Sequence, residues 1–168
     1  MGIQKVGIVG GGQMGGGVAE LTAKAGLATV VREVSSEAAE RSSGGIRNSL
    51  DRALERGKLD EAAHASALGN LSFTTDMADL ADCDLVVEAV VESYELKAGI
   101  FRELDEVVAS PDAVLATNTS SIPIIDIAMN TGRPERVIGM HFFNPAPVMK
   151  LVEVIPSVRT DDEVTRVV

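Results

Sequence analysis

Hydrophobic residues along the chain occur in short continuous runs that alternate with segments of helical spacing. Continuous apolar runs rich in branched residues predict β-strands, and apolar residues three or four positions apart predict helices. Alternation of the two is typical of a mostly parallel sheet whose two faces are covered by helices. The pattern therefore predicts an α/β fold. The predicted strands are 5–10, 29–31, 71–74, 84–89, 113–117, 137–140 and 150–155.

One segment does not fit the simple alternation. The stretch from Ser35 to Gly69 is too long for a single crossover helix, and Ile46, Leu50 and Leu54 recur within it at helical spacing. Gly57 then interrupts the pattern, and acidic residues typical of a helix start follow it. These features predict a helical hairpin inserted between strands two and three.

A glycine-rich turn joins the first strand to the first helix. Gly10-Gly11-Gly12-Gln13-Met14-Gly15 matches the G-x-G-x-x-G pattern. Such glycines permit a tight turn, close approach of a pyrophosphate, and close packing of helix and strand. A glycine turn can also serve packing alone. Its position between a strand and a helix, with acidic Glu33 ending the second strand, favours dinucleotide binding in a Rossmann-like sheet. Composition does not explain two further glycines, Gly16 and Gly17.

Glu33 bears on the choice of dinucleotide. A carboxylate at this position accepts hydrogen bonds from ribose hydroxyls and repels a 2′-phosphate, so NAD is favoured over NADP. Arg32 beside it weakens this preference. A solvated Arg32–Glu33 pair without a binding role is the alternative interpretation.

A histidine and a glutamate follow one another near the end of the chain. His141 comes just after a predicted strand, and Glu153 lies inside the next apolar strand. A carboxylate among apolar residues requires a cationic or protonatable partner. A His–Glu pair would form a general base whose imidazolium the carboxylate stabilises. A purely structural histidine is the alternative for His141, and His64 on the polar hairpin is expected at the surface.

Polar residues also follow the fifth predicted strand. Asn118-Thr-Ser-Ser-Ile122 lies where α/β proteins place ligands, at the carboxyl end of a strand. One serine is expected to cap the helix from Ile122, and the other offers a hydroxyl to a substrate. Cys83, next to apolar strand residues, is expected in the core without a nucleophilic role.

Composition excludes several classes of function. The 168 residues carry a formal charge of −10, which disfavours nucleic-acid binding. A single cysteine points to a reducing, cytoplasmic setting. No apolar run is long enough to span a membrane, and no His, Cys, Asp and Glu set has the spacing of a metal site. We therefore expect no nucleic-acid, membrane or metal partner.

The last residues predict one more helix. Thr160-Asp-Asp-Glu163 has the pattern of a capping box, which places the helix start at Thr160. Val164, Val167 and Val168 then form an apolar stripe, expected to be exposed and prone to association. The stripe suggests that the chain is part of a longer protein.

Taken together, these motifs resemble one family, the short-chain L-3-hydroxyacyl-CoA dehydrogenases, which includes bacterial 3-hydroxybutyryl-CoA dehydrogenases. The resemblance spans nearly the whole chain in the correct order, and its histidine segment is the most specific part. The segments that carry it are Val9–Gly15, Val87–Glu92 with Lys97, Asn118–Ser121 and His141–Val154.

The resemblance implies that residues 1–168 form an amino-terminal NAD-binding domain with a helical hairpin at about 35–69. A carboxy-terminal helical dimerisation domain would be absent from this chain, and the full-length protein would be a homodimer. Where the family commonly has aspartate, this chain has Glu33. The implied cofactor contacts are Gly10, Gly11, Gly12, Gln13, Met14, Gly15, Glu33, Glu92, Lys97, Ser120 and Asn144.

The resemblance also implies a reaction, the oxidation of a (3S)-3-hydroxyacyl-CoA of short chain to the 3-oxoacyl-CoA, as in fatty-acid or butanoate metabolism. His141 would remove the hydroxyl proton and Glu153 would orient the imidazole. Ser120 would bind the substrate oxygen, and Asn144 would position substrate and cofactor. Two alternatives are a cofactor-binding fragment that is inactive without its second domain and a relative with another role, either a dehydrogenase acting on a sugar acid or a structural crystallin-like protein.

The CoA part of the substrate would lie along the hairpin, near Ser49, Arg56 and Lys58. The segment from Gly44 to Lys58 has four basic and two acidic residues, a net charge of +2 in an acidic chain. An ordinary solvated helix face explains the same pattern equally well.

Overall fold

The fold is described for residues 2–168 in a computed structural model, and within them the short apolar runs form seven strands. The strands are β1 (Lys5–Val9), β2 (Ala28–Arg32), β3 (Leu71–Thr74), β4 (Leu85–Glu88), β5 (Val114–Thr117), β6 (Val137–Phe142) and β7 (Val152–Pro156). The α-helices of this part of the chain are α1 (Gln13–Lys24), α2 (Ser36–Glu55), α3 (Glu61–Gly69), α4 (Tyr94–Val107), α5 (Ile124–Ala128) and α6 (Asp162–Val167). Two short 3₁₀ turns occupy Met77–Leu80 and Pro134–Arg136.

The strands form one sheet in the order β3-β2-β1-β4-β5-β6-β7. All pairings among β1 to β6 are parallel, and β7 pairs antiparallel with β6. The mostly parallel Rossmann-like sheet predicted from the sequence is therefore confirmed. The order reverses between β1 and β4, and in such sheets a ligand crevice opens at the carboxyl ends of the strands beside this point.

Apolar layers cover both faces of the sheet. On one face, Ile8 and Val31 pack with Leu50 of α2 and Val164 of α6. On the other face, Val9 and Val86 pack with Phe101 and Leu104 of α4 and Ile127 of α5. Burial on both sides explains why the central strands β1, β4 and β5 are mostly apolar rather than alternating.

The inserted helical hairpin is also confirmed, as α2 and α3. The Ser35 hydroxyl caps α2 by accepting from the Ala38 N–H, and the Asp60 carboxylate caps α3 by accepting from the Ala63 N–H. His64 differs from the prediction. Its imidazole Nε2 lies 2.7 Å from Asp51 Oδ1, so the ring is largely buried between the two helices instead of facing solvent.

The end of the chain differs from the prediction in two respects. Thr160 does not cap a helix, because its hydroxyl donates to the carbonyl of Val137 and accepts from the Ser157 N–H. Helix α6 instead starts after Asp161. The apolar stripe is not left exposed either, since Val164 is fully buried in the core and Val167 and Val168 pack partly buried against it.

Within residues 2–168, every helix is too short or too polar to cross a membrane.

Cys83 lies in the apolar layer between the sheet and helices α4 and α5, and its reactivity reports how closely that layer is packed. The thiol is 1% exposed, and burial raises its pKa to about 12. Because the thiolate is the reactive form, we expect the folded protein to resist Ellman's reagent at mildly alkaline pH. After unfolding in guanidinium chloride, one thiol per chain should react rapidly. Rapid reaction of the folded protein would show that this layer is open to solvent.

Candidate active site

The glycine turn brings the start of α1 onto the end of β1. Gly10 has a φ of +90°, which lets the chain turn sharply after the strand. A Cβ atom on Gly15 would lie 1.8 Å from the Gly10 carbonyl oxygen, so a side chain there is impossible. Gly12, by contrast, faces open space. The open side of this turn, at a helix N-terminus, fits a pyrophosphate.

Two side chains hold the turn from neighbouring elements. Glu33 accepts a hydrogen bond from the Gly11 N–H at 2.8 Å, and Ser42 of α2 donates one to the Gly11 carbonyl at 2.8 Å. A Cβ on Gly11 would lie 2.0 Å from the Ser42 hydroxyl oxygen. Sequence reasoning missed Ser42. Its signal was a lone polar residue in the buried stripe of α2, four residues from both Ala38 and Ile46.

The two extra glycines bring α1 into close contact with its surroundings. A Cβ on Gly17 would lie 2.9 Å from the Ala146 Cβ and 3.0 Å from the Pro147 Cδ. A Cβ on Gly16 would lie 3.1 Å from the Gly11 carbonyl oxygen. Gly17 therefore lets α1 pack directly against residues 144–148, the segment that follows β6, and Gly16 lets it pack against the glycine turn.

A buried ion pair lies below the carboxyl ends of β4 and β5. Lys97 of α4 places its Nζ 2.7 and 2.9 Å from the two carboxylate oxygens of Glu88. Glu88 also accepts from the Thr117 hydroxyl and the Val90 N–H, and both charged residues are about 1% exposed or less. The hydrogen bonds satisfy both charges, as burial of an ion pair requires.

Glu92 connects this ion pair to the loop after β5. Its carboxylate lies 3.4 Å from the Lys97 Nζ and accepts from the Thr119 hydroxyl and from the N–H groups of Ser120 and Ser121. Burial raises the pKa of Glu92, but these hydrogen bonds and the lysine charge outweigh it and hold that pKa below its ordinary value. Glu92 is therefore an ionised anchor for the loop.

The loop itself differs from the prediction. Neither serine caps α5, which begins after Pro123 without a side-chain cap. The Thr119 hydroxyl accepts from the Ile122 N–H instead. Ser120 remains exposed, and no residue of the described chain hydrogen-bonds its hydroxyl.

The predicted cofactor contacts occupy different depths of this site. Gly12 and Gln13 are exposed at the turn, and Glu92 is partly exposed. Lys97 is 1% exposed and lies against two carboxylates, where it helps to position Glu92, and its contact with the cofactor stays a prediction.

His141 and Glu153 form the pair that the sequence predicts. The antiparallel register places them opposite each other on β6 and β7, and the His141 Nδ1 lies 2.7 Å from the Glu153 Oε2. The glutamate side chain is 50% exposed, so pairing orients the imidazole rather than rescuing a buried charge. With the Nδ1 proton donated to Glu153, Nε2 carries the lone pair, and no residue in 2–168 hydrogen-bonds it.

Asn118 attaches this pair to the serine loop. Its side-chain oxygen accepts from the Phe142 N–H at 2.9 Å, directly after His141. The loop after β5 and the end of β6 are thereby held together. On the other side, the Gln13 amide lies 3.2 Å from the Asn144 Oδ1, which connects α1 to the segment after β6.

A cavity of about 720 Å³ opens between α1, α2 and residues 144–148, and we call it the helix groove. It begins at the glycine turn and runs along one face of α2. The polar and charged side chains that line it include Gln13, Glu20, Arg41, Ser49, Arg52 and Asn144. Of the three predicted CoA contacts, Ser49 lines the groove, whereas Arg56 and Lys58 do not. Their contact with CoA stays a prediction.

A second cavity, of about 100 Å³, lies near Asp84 and Val114, at the start of β4 and β5 and away from these residues.

Comparison with known proteins gives one family. The sequence model described as "3-hydroxyacyl-CoA dehydrogenase, NAD binding domain" matches residues 5–168. A 3-hydroxybutyryl-CoA dehydrogenase of Mycobacterium tuberculosis is 52% identical over 160 residues, which cover 95% of this chain and 56% of that protein.

Solved structures agree. The crystal structure of M. tuberculosis FadB2 superposes with a TM-score of 0.97 at 50% identity, over 99% of this chain and 59% of that one. The (S)-3-hydroxybutyryl-CoA dehydrogenase PaaH1 from Ralstonia eutropha gives a TM-score of 0.94 at 43% identity, over 98% and 58%. The chain thus spans a little over half the length of these relatives.

Gly17 tests the contact between α1 and residues 144–148. Alanine is the better helix former by about 1 kcal/mol, but overpacking typically costs about 1–3 kcal/mol. Because the new methyl group would meet Ala146 and Pro147, we expect Gly17→Ala to lower the free energy of unfolding in urea denaturation. Gly44→Ala is the matched control, since Gly44 is also helical but faces open space, and it should stabilise the protein. Equal stabilisation by both variants would contradict the close contact.

Substitution of Lys97 tests whether its charge compensates the buried carboxylate of Glu88. Lys97→Met leaves the Glu88 carboxylate buried without its cation, which typically costs about 3–5 kcal/mol. The double variant Glu88→Gln/Lys97→Met removes both charges and should recover much of that loss. Urea unfolding curves give the free energy of unfolding of the single and the double variant, and from these the loss and its recovery. A single variant as stable as the parent would show that Lys97 does not compensate Glu88.

Proposed function

The chain belongs to the 3-hydroxyacyl-CoA dehydrogenase family, whose NAD-binding domain it contains, and from this we propose that the protein oxidises a (3S)-3-hydroxyacyl-CoA to the 3-oxoacyl-CoA with NAD. The observation that carries the proposal is the His141–Glu153 pair, whose free Nε2 lies on the same edge of the sheet as the glycine turn. Short-chain substrates such as 3-hydroxybutyryl-CoA are favoured, since the similar proteins are named for that substrate.

The residues of the turn fit the cofactor. The turn is tight because a Cβ atom on Gly11 or Gly15 would collide with Ser42 or with the Gly10 carbonyl, and Gly12 faces open space in which a pyrophosphate fits. Glu33 is placed at the end of β2 to accept ribose hydroxyls and to disfavour a 2′-phosphate. Met14, Glu92, Ser120 and Asn144 are the further contacts we propose. Bound NAD supplies the acceptor for the hydride that leaves C3 of the substrate.

His141 handles the proton of this reaction. Its Nε2 takes the proton of the 3-hydroxyl group, and in the reverse direction it returns that proton to the 3-oxo oxygen. Glu153 accepts the Nδ1 proton at 2.7 Å, which keeps the lone pair on Nε2 and stabilises the imidazolium once it forms.

Two further side chains position the substrate. The Ser120 N–H donates to Glu92. Its hydroxyl is hydrogen-bonded by no residue in 2–168 and is therefore available to donate to the substrate oxygen. Asn144 lies between Gln13 of the cofactor helix and the groove, where its amide contacts both ligands in this proposal. A homodimer and a cytoplasmic location stay predictions from the family resemblance and the cysteine content.

His141→Gln tests the proposed base. General acid–base catalysis typically contributes about 10²–10⁴-fold, so the variant should lose activity by that factor. Glu153→Gln should lose less, because the imidazole remains present. The measurement is NADH oxidation with acetoacetyl-CoA, with NADH affinity from fluorescence titration expected to stay unchanged.

Glu106→Gln, an exposed glutamate of α4, is the matched control and should keep full activity. Turnover by His141→Gln at the parent rate would remove His141 from the mechanism. A protein that reduces sugar-acid ketones in preference to acetoacetyl-CoA would instead favour the sugar-acid alternative.

A further inference from the structure

An arginine that the proposed function does not use lies at the end of β2, beside the glycine turn. Arg32 is the last residue of this strand, and its carbonyl accepts a hydrogen bond from the Gly10 N–H at 3.0 Å. In the register of the sheet it lies opposite Val9 of β1 on one side and Thr74 of β3 on the other. Its backbone is therefore part of the edge at which we propose that the dinucleotide binds.

Arg32 does not pair with the acidic residue that follows it. Consecutive side chains of a strand point to opposite faces of the sheet, and here Val31 packs in the layer with α2 while Val30 packs in the layer with α4. Glu33 reaches the α1 side, where it accepts from the Gly11 N–H at 2.8 Å. Within residues 2–168, the solvated Arg32–Glu33 pair that the sequence left open is therefore not formed.

The guanidinium of Arg32 lacks acceptors in the described part of the chain. Its Nε is buried and has no hydrogen-bond partner within residues 2–168. The two terminal nitrogens have no partner there either, but they are not buried, so the charged fork reaches solvent. Asp79, on the 3₁₀ turn packed against β2, binds the Thr74 hydroxyl instead. A partly buried arginine is normally paired, and this one has donors to offer to a ligand.

Exposed aliphatic side chains flank the end of β1 near Arg32. Val34, directly after Glu33, is 77% exposed, and Val91, three residues after β4, is 72% exposed. The strand order reverses between β1 and β4, where a ligand crevice is expected. Apolar walls suit a flat purine ring, and the adjacent carboxylate of Glu33 suits a ribose. This arrangement favours the adenosine half of the dinucleotide next to Arg32.

The two charged residues at the end of β2 favour different dinucleotides. Glu33 has a second carboxylate oxygen that no residue in 2–168 hydrogen-bonds, and its charge repels a 2′-phosphate. An arginine near the adenosine ribose accommodates that phosphate, because its planar fork donates parallel hydrogen bonds to phosphate oxygens. NAD has no anion at this ribose for Arg32 to bind, whereas NADP supplies one.

Building on the proposed cofactor site, we propose that Arg32 binds the 2′-phosphate of NADP(H) and so gives this site a second, weaker cofactor. Glu33 keeps NAD(H) the tighter ligand, because its charge still opposes the phosphate. Arg32 reduces the discrimination, because its charge is not neutralised by Glu33 or by any other residue in 2–168. The ratio of the two affinities is therefore determined by both residues together.

The experiment measures binding separately from the reaction. ADP-ribose and 2′-phospho-ADP-ribose differ only in the phosphate, and neither has a nicotinamide ring that could react. Calorimetric titration of the chain gives the Kd of each. Arg32→Met should raise the Kd for 2′-phospho-ADP-ribose by about 10-fold, since hydrogen bonds to a charged group are lost, and it should leave the Kd for ADP-ribose unchanged.

Two further variants test the assignment from other directions. Glu33→Gln keeps an acceptor oxygen for the Gly11 N–H but removes the negative charge, so it should lower the Kd for 2′-phospho-ADP-ribose relative to that for ADP-ribose. Arg47→Met is the matched control, because it removes the same charge from an exposed position of α2 outside the groove lining, and it should change neither Kd. If thermal unfolding shows that Arg32→Met is not folded, Arg32→Gln carries the same comparison.

The outcomes distinguish this inference from the proposed function. Equal loss of affinity for both ligands in Arg32→Met would place Arg32 on a group that they share, and unchanged affinity for both would exclude a contact. Either result overturns the assignment. A parent chain that binds ADP-ribose but not 2′-phospho-ADP-ribose overturns it as well.

The proposed reaction is measured independently, as NADH oxidation with acetoacetyl-CoA. Its absence would overturn the proposed function, and the two Kd values would still decide the role of Arg32. A parent chain that binds neither ligand would overturn the proposed cofactor site and this inference together.

Discussion

The site depends on one steric constraint, the direct contact of helix α1 with the elements around its first two turns. The helix begins on the end of β1 because Gly15 leaves room for the Gly10 carbonyl, and it packs against residues 144–148 because Gly17 has no side chain. Gly11 is enclosed by Ser42 and Glu33 in the same way. A methyl group at any of these positions would separate α1 from β1, α2 or the segment after β6. Close packing thus places the cofactor turn, the helix groove and Asn144 within one rigid arrangement.

Charged and polar contacts position the other half of the site, which comprises the loop after β5 and the end of β6. The loop with Ser120 has no regular secondary structure, yet Glu92 binds three consecutive residues of it. Glu92 in turn lies against Lys97, whose charge is compensated by Glu88 at the end of β4. Asn118 extends the connection to Phe142, next to His141. A loop serine and a strand histidine are therefore held by polar contacts that start from the buried Glu88–Lys97 pair at the end of β4.

Sequence reasoning identified the features that depend on local pattern. The strands, the hairpin and the glycine turn follow from hydrophobic spacing and from residues with special backbone roles. The His141–Glu153 pair follows from an acidic residue in an apolar strand, although the antiparallel register of β7 was needed to set the residues opposite each other. Thr160 shows the limit of local pattern. It has the sequence of a capping box, but the carbonyl of Val137, distant in sequence, binds its hydroxyl instead.

The same limit applies to Ser42 and Gly17. Each of these residues is explained by a partner far away in the sequence, and composition or spacing does not identify that partner. The family resemblance implies a cofactor contact for Lys97, and the structure adds a buried ion pair with Glu88 that the sequence alone did not indicate. Its charge acts through Glu92, whose low pKa keeps the carboxylate ionised and able to bind the loop N–H groups. Since Glu92 also borders the site, the buried lysine contributes to the position of the Ser120 loop and to the negative charge beside it.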